Sequence, residues 1–196
     1  MTRGAKPRVI WDLDDTLNDL MRAWLGWPGR PGSAAVAYAG LSENPPHRLL
    51  GIAREDYLRS LDRFRNSDAA RGLRPAPAVL GWFAERGHDF EHHVLTARPR
   101  ATVPAAAAWV FEHFGTWVRH FHFVPARREA DQLPDLGEDK GAVIRRLGGA
   151  DYFIDDDPKN LQAAGDCVRH RLLAPQPWNG GAGDLAGVLA ALTVPA

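Results

Sequence analysis

The stretch Trp11-Asp12-Leu13-Asp14-Asp15-Thr16-Leu17 does most to limit how this chain can fold. The apolar residues Val9-Ile10-Trp11 before it have the length of a buried strand. After it, Leu17, Leu20, Met21, Trp24 and Leu25 recur at helical spacing. Asp12 and Asp14 therefore sit just past the carboxyl end of a strand, the edge at which open α/β sheets bind ligands. Two carboxylates that close repel each other, so such a site holds a cation or a shared proton. The same residues also read as a strand followed by an Asp-rich turn, with Asp15 or Thr16 capping the helix. The stretch alone leaves both readings open.

The rest of the chain alternates strand and helix. Strands are expected at residues 8–11, 90–95, 117–124, 152–154 and 168–174. Helices are expected at 54–64, 76–86, 99–114, 138–147, 158–165 and 184–192. Repeated β-then-α order implies an α/β fold, a Rossmann-like doubly wound parallel sheet with helices on both faces. About fifty residues separate the helix after the first strand from the next core element, too many for a plain loop in a compact domain. Residues 18–74 are therefore read as a small, mostly helical cap inserted into a core of residues 1–17 and 75–196. Every strand's carboxyl end then lies on one edge. That edge would gather Asp12 and Asp14 from the first strand, Thr96 from the second, and Asp155 and Asp156 from the fourth. Lys140 would join them from the start of the helix leading into the fourth strand.

These groups favour one chemistry. Carboxylates are hard oxygen ligands and suit Mg²⁺ better than zinc. The single cysteine, Cys167, excludes both an intrachain disulfide and a Cys-cluster zinc site. Six histidines between His88 and His122 alternate along strands or fall in turns, without the spacing of a zinc motif. A threonine hydroxyl and a lysine can hold phosphate oxygens. The set reads as a phosphoryl-transfer site, in which a carboxylate can act as nucleophile and a general base can then activate water. Lys plus Arg and Asp plus Glu both number 24, so no global basic field exists to hold nucleic acid. No segment reaches the roughly 20 apolar residues of a membrane helix, and Met1–Arg8 lacks a following signal-like apolar run. A cytoplasmic protein with a small phosphorylated substrate, as a monomer or homodimer, is expected.

Asp12-Leu13-Asp14-Asp15-Thr16, the strand ending in Thr96, Lys140 and Ile154-Asp155-Asp156 together resemble the four motifs of the haloacid dehalogenase superfamily, in order, over residues 8–174. The resemblance implies strand order 5-4-1-2-3 and an aspartyl-phosphate mechanism, with Asp12 as nucleophile and Asp14 as acid and base. It implies Mg²⁺ ligands at the Asp12 carboxylate, the Asp14 backbone carbonyl and Asp155, with Asp156 as second choice. It implies phosphate contacts from Thr96, the Ala97 backbone N–H and Lys140. An Asp two residues after the nucleophile is what the family's phosphatases and phosphotransferases carry. A narrower set, Asp139-Lys140, Asp155-Asp156-Asp157-Pro158 and Pro177-Trp178-Asn179, is similar to the 5′(3′)-deoxyribonucleotidase-like branch, which implies a nucleoside monophosphate.

Arg98, Trp27 and His47 are candidate substrate contacts: Arg98 could reach a phosphate, and an aromatic ring could stack on a base. Each also has a plain reading, as a surface charge, a core ring of the cap or an exposed imidazole. Trp24 reads as cap core, and Arg127-Arg128 as a solvated pair that could steer an anion. Three rival functions were weighed. A phospho-receiver would need its Asp on the third strand, which here ends in Val124-Pro125. A non-catalytic binding module would not need every working group. A polynucleotide-end phosphatase is disfavoured by the neutral charge.

Overall fold

The computed structural model describes residues 6–32, 35–126, 128 and 137–194. The expected polar loop at 125–137, with Arg127, lies largely outside the described residues, as do positions 1–5 of the expected core. Strand β1 (Arg8–Trp11) is short because the Asp-rich turn follows it directly. Helix α1 (Leu20–Leu25) starts three residues later than the apolar spacing predicts. The cause is local. Asp15 takes a left-handed backbone with φ 58°, a conformation that Asp tolerates better than most residues. Its Oδ1 accepts from the Met21 N–H, and Asn18 Oδ1 accepts from Leu20 N–H. These two side chains satisfy donors that a helix beginning at Leu17 would have paired.

Helices α2 (Arg54–Arg65) and α3 (Asp68–Arg71) follow, and α3 is capped by the Ser67 hydroxyl. Residues 20–73 gather their own apolar cluster: Leu20, Met21, Trp24, Leu41, Leu50, Tyr57, Leu61 and Phe64. The chain leaves and re-enters the sheet region at one place. Asn18 bridges Pro75, and Ala76 N–H donates to Leu17 O at 2.9 Å. Pro75 is used in that bridge, so Pro77 rather than Pro75 opens helix α4 (Pro77–Arg86).

Strand β2 (Glu91–Arg98) runs past Thr96, where the sequence pattern ends it. Strand β3 (Val118–Pro125), reached through helix α5 (Val103–Phe114), pairs with it out to Arg98–Pro125 and extends the ladder. Helix α6 (Lys140–Arg146) is shorter than expected. Asp139 serves as its N-cap, accepting from Ala142 N–H at 2.7 Å. Strand β4 (Ala150–Asp155), helix α7 (Pro158–Ala164), strand β5 (Val168–Leu173) and helix α8 (Leu185–Ala190) complete the chain.

All five strands are parallel, in the order β3-β2-β1-β4-β5. This is the expected doubly wound α/β sheet. Central β1 is buried on both faces, and its residues alternate between two cores. Val9 and Trp11 face α4, α5 and α8 through Phe83, Trp109, Phe114 and Leu189. Ile10 faces α6 and α7 through Val143, Ile144 and Ala164. Each such fully buried aliphatic or aromatic side chain contributes roughly 1.5–3 kcal/mol. Trp11 also fixes a tautomer. Its Nε1–H donates to His92 Nδ1 at 3.0 Å, so His92 Nε2–H donates to Gly87 O at 2.8 Å.

Candidate active site

Two strand ends and the start of a helix converge. β1 delivers Asp12, β4 delivers Asp155 and Asp156, and the first residue of α6, Lys140, reaches in between. Lys140 Nζ donates to Asp12 Oδ1 at 2.5 Å and to Asp155 Oδ2 at 2.7 Å, with all three side chains buried. α6 can come close enough because Gly141 packs against the backbone of α7, where a Cβ would stand 2.1 Å from Ala163 O. Asp155 also accepts from Asp157 N–H and from Asn160 Nδ2. The carboxylates of Asp12, Asp155 and Asp156 place ligand atoms within 4.8 Å of one another.

A cavity of about 180 Å³ opens over this group. Asp12, Asp14, Asp15, Thr96, Ala97, Lys140 and Asp156 line it. From helix α2 come Tyr57, Leu61 and Arg65. Asp156 lines the cavity, and Asp155 lies beside it in the same carboxylate cluster. Asp156 is steadied from outside by Trp178 Nε1–H on its Oδ2 at 3.3 Å and by Asn179 Nδ2 on its carbonyl at 2.8 Å.

Asp14 is held by two guanidiniums. Arg98 Nη2 donates to its Oδ1 at 2.5 Å and Arg65 Nη2 to its Oδ2 at 2.8 Å. Arg98 is therefore at the site, but it contacts a carboxylate. Trp27 packs against Phe64 of helix α2 with ring centroids 5.5 Å apart and planes tilted by 56°, and lines no part of the cavity. His47 also lies outside the lining, with Nδ1 buried and unpartnered. Trp24 is fully buried, its Nε1–H on Ser60 Oγ. Arg128 pairs with Asp62, which also pairs with Arg65.

Sequence reading missed Arg65, Asn160 and the buried role of Asp15. Arg65 closes an apolar-faced helix whose exposed side is also rich in Arg, and nothing in that spacing marks one arginine as inward.

The electrostatics are unbalanced. Among the described residues, five little-exposed carboxylates (Asp12, Asp14, Asp15, Asp155, Asp156) meet three little-exposed cations (Lys140, Arg65, Arg98). If all five were ionised, two negative charges would be in excess, and the shifts of Asp12, Asp15 and Asp156 reflect burial together with that repulsion. Burial, with the charges of Asp155 and Asp14, pushes Asp12 up to about 7 against the pull of Lys140. Burial also holds Asp15 and Asp156 well above the usual carboxylate range. Asp14 goes the other way: burial would raise it, but Arg98 and Arg65 outweigh burial and hold it low. Burial would likewise strip Lys140 of its proton, yet Asp12 and Asp155 keep it charged. Finally, Arg65 Nε and Arg98 Nε are buried without an acceptor.

The fold is similar to that of solved haloacid dehalogenase-like hydrolases. Three solved structures illustrate the likeness. A haloacid dehalogenase-like family hydrolase from Streptococcus pneumoniae aligns with TM-score 0.55 at 12% identity, over 94% of this chain and 90% of its own. A haloacid dehalogenase-like hydrolase from Burkholderia xenovorans LB400 gives TM-score 0.53 at 13% identity, over 97% and 100%. Another from Bacteroides fragilis gives TM-score 0.51 at 14% identity, over 84% and 86%. No protein-family model and no curated protein sequence matches the chain. No helix among the described residues is long and apolar enough to cross a membrane.

Proposed function

We propose that this chain is a Mg²⁺-dependent phosphomonoester hydrolase working through an aspartyl-phosphate. The observation that carries the reading is the meeting of Asp12, Lys140, Asp155 and Asp156 under one cavity at the strand ends. The donor set fits a hard divalent cation: carboxylate oxygens, no thiolate and no imidazole. Asp12 and Asp156 would hold it, with the Asp14 carbonyl and Asp155 behind. When bound there, the cation would offset the mutual repulsion of the carboxylates and neutralise phosphoryl oxygens.

The chain's own groups then have separate tasks. Lys140 holds Asp12 ionised and aimed at phosphorus. An Asp12 oxygen attacks, the P–O bond to the leaving group breaks, and the leaving oxygen takes a proton from Asp14. Asp14 then removes a proton from water, whose oxygen displaces Asp12 from the phosphoryl group. Thr96 and Ala97 line the cavity, and the Thr96 hydroxyl and Ala97 N–H would contact the phosphoryl oxygens there.

Arg65 gives the insert a gating task. Asp14 cannot donate a proton while two guanidiniums hold it low. An incoming phosphate offers Arg65 and Arg98 the acceptor that their Nε–H groups lack, and Asp14 is released. Residues 18–74 act in this reading as a cap on residues 1–17 and 75–196, whose movement admits substrate and excludes bulk water.

The test is phosphate release from a panel of phosphomonoesters, nucleoside monophosphates included, with Mg²⁺ and with chelator. Mg²⁺-dependent turnover that Asp12→Asn abolishes without unfolding the protein is expected. A panel with no turnover, or full activity in the Asp12→Asn variant, overturns the reading.

A further inference from the structure

A second set of side chains lies on a different part of the sheet. Glu91 and His93 start β2, and His120 and His122 lie on β3. Residues two apart on a strand share a face, and His93 stands opposite His120 in register. The three imidazoles stack nearly parallel: His93 over His120 with centroids 4.2 Å apart at 21°, and His93 with His122 at 5.3 Å and 12°. One ligand atom from each of Glu91, His93 and His120 lies within 4.8 Å of the other two. His93 is buried and His120 exposed, so the group is both built and open to solvent.

We propose that Glu91, His93 and His120 bind a divalent transition-metal cation of the zinc type, separately from the carboxylate site at the far end of β2. Two imidazoles and one carboxylate are the donors such ions take, and the exposed side leaves a position for water. The surroundings supply outer partners of the kind metal-binding histidines and carboxylates use. His93 Nδ1 contacts His122 Nε2 at 3.0 Å, leaving His93 Nε2, 2.7 Å from Glu91 Oε1, as the ligating atom. Arg8 Nε donates to Glu91 Oε1 at 3.2 Å while its Nη1 is tied to the Leu147 and Gly149 carbonyls.

Protons balance without an outside acid. Without metal, His93 Nε2–H donates to Glu91 and His122 Nε2–H donates to His93 Nδ1. With metal on His93 Nε2, that ring carries its proton on Nδ1 and donates to His122 Nε2, while the His122 proton moves from Nε2 to Nδ1 by exchange with solvent. The contact survives with its direction reversed, and the cation clasps edge strand β3 to β2.

The experiment is Zn²⁺ titration calorimetry of tag-free protein in excess Mg²⁺, paired with Co²⁺ visible absorption as a report of nitrogen-containing, low-coordinate geometry. One zinc equivalent is expected. His120→Ala, on an exposed side chain, and Glu91→Gln each weaken it by at least about tenfold, and His122→Phe by about tenfold through the lost outer partner. Asp156→Asn leaves the isotherm unchanged. Absence of zinc binding under excess Mg²⁺ overturns the proposal. So does an isotherm that His120→Ala and Glu91→Gln leave untouched, or one that Asp156→Asn abolishes.

Discussion

Lys140→Met removes the one cation between Asp12 and Asp155, whose side chains are 7% and 0% exposed. Methionine keeps the length and apolar stem, so packing changes little and charge changes fully. Breaking a buried pair while its partners stay costs about 3–5 kcal/mol, because the stranded charges lose more than a surface pair would. Here the cost depends on pH. Asp12 titrates at about 7 with Lys140 in place. Its pKa is raised on folding from 3.8, so the native state binds that proton more tightly than the unfolded chain. The stability this gives is complete below about pH 4 and is lost as pH rises through 7. At pH 8 the substitution removes both ion pairs and leaves Asp12 to bear an unpaired charge or take up a proton, at a cost of about 3–5 kcal/mol. At pH 5.5 Asp12 is already neutral and only the Asp155 pair is lost, so about half of it remains. Equilibrium urea unfolding at the two pH values, with far-UV and near-UV dichroism to show that the fold persists, reads both numbers. In melting temperature the pH 8 penalty is roughly 6–20 °C for a chain of this length. Adding Mg²⁺ should recover more stability in the variant than in the parent. Lys140→Met/Asp155→Asn should recover at least about 1 kcal/mol over the sum of the single losses. A penalty below about 1 kcal/mol, or one flat between pH 5.5 and 8, refutes the account of the site as a charge-coupled cluster.

Arg65→Ala takes one of two cations from Asp14, so its carboxyl pKa should rise toward the ordinary value. Carboxyl-carbon NMR titration shows it, and an unmoved Asp14 removes the gating role from Arg65. His92 is held down to about 4 by burial. Because its pKa is depressed on folding, its contribution is present above pH 6.5 and drains away, by about 3 kcal/mol, as pH falls to 4. His92→Phe should flatten stability against pH in that window by one proton, and an unchanged slope counts against a neutral buried His92. Gly141→Ala puts a Cβ against the Ala163 carbonyl and should cost roughly 1–3 kcal/mol as α6 and α7 separate. A thermal melt that does not move would mean that the two helices have room.

The sheet was legible because its information is local and periodic. Alternating β and α segments, with Val9, Ile10 and Trp11 apolar on both faces, specify a parallel strand between two helical layers. Motif residues at strand ends inherit their positions from that layering, so Asp12, Lys140 and Asp155 could be expected together from spacing alone. Element ends were less legible. They depend on who supplies the last hydrogen bond: Asp15 and Asn18 delay α1, and β3 prolongs β2. How Asp156 is held at the cavity turns on Trp178 and Asn179, about twenty residues further on. The capture of Asp14 by Arg65 links residues 51 positions apart across two apolar clusters. The stack of His93, His120 and His122 exists only because β2 and β3 pair in one register out of several available. Periodicity along one segment encodes which face is buried. Which side chain of another segment it meets is decided by packing and register, through contacts that no single stretch of chain contains.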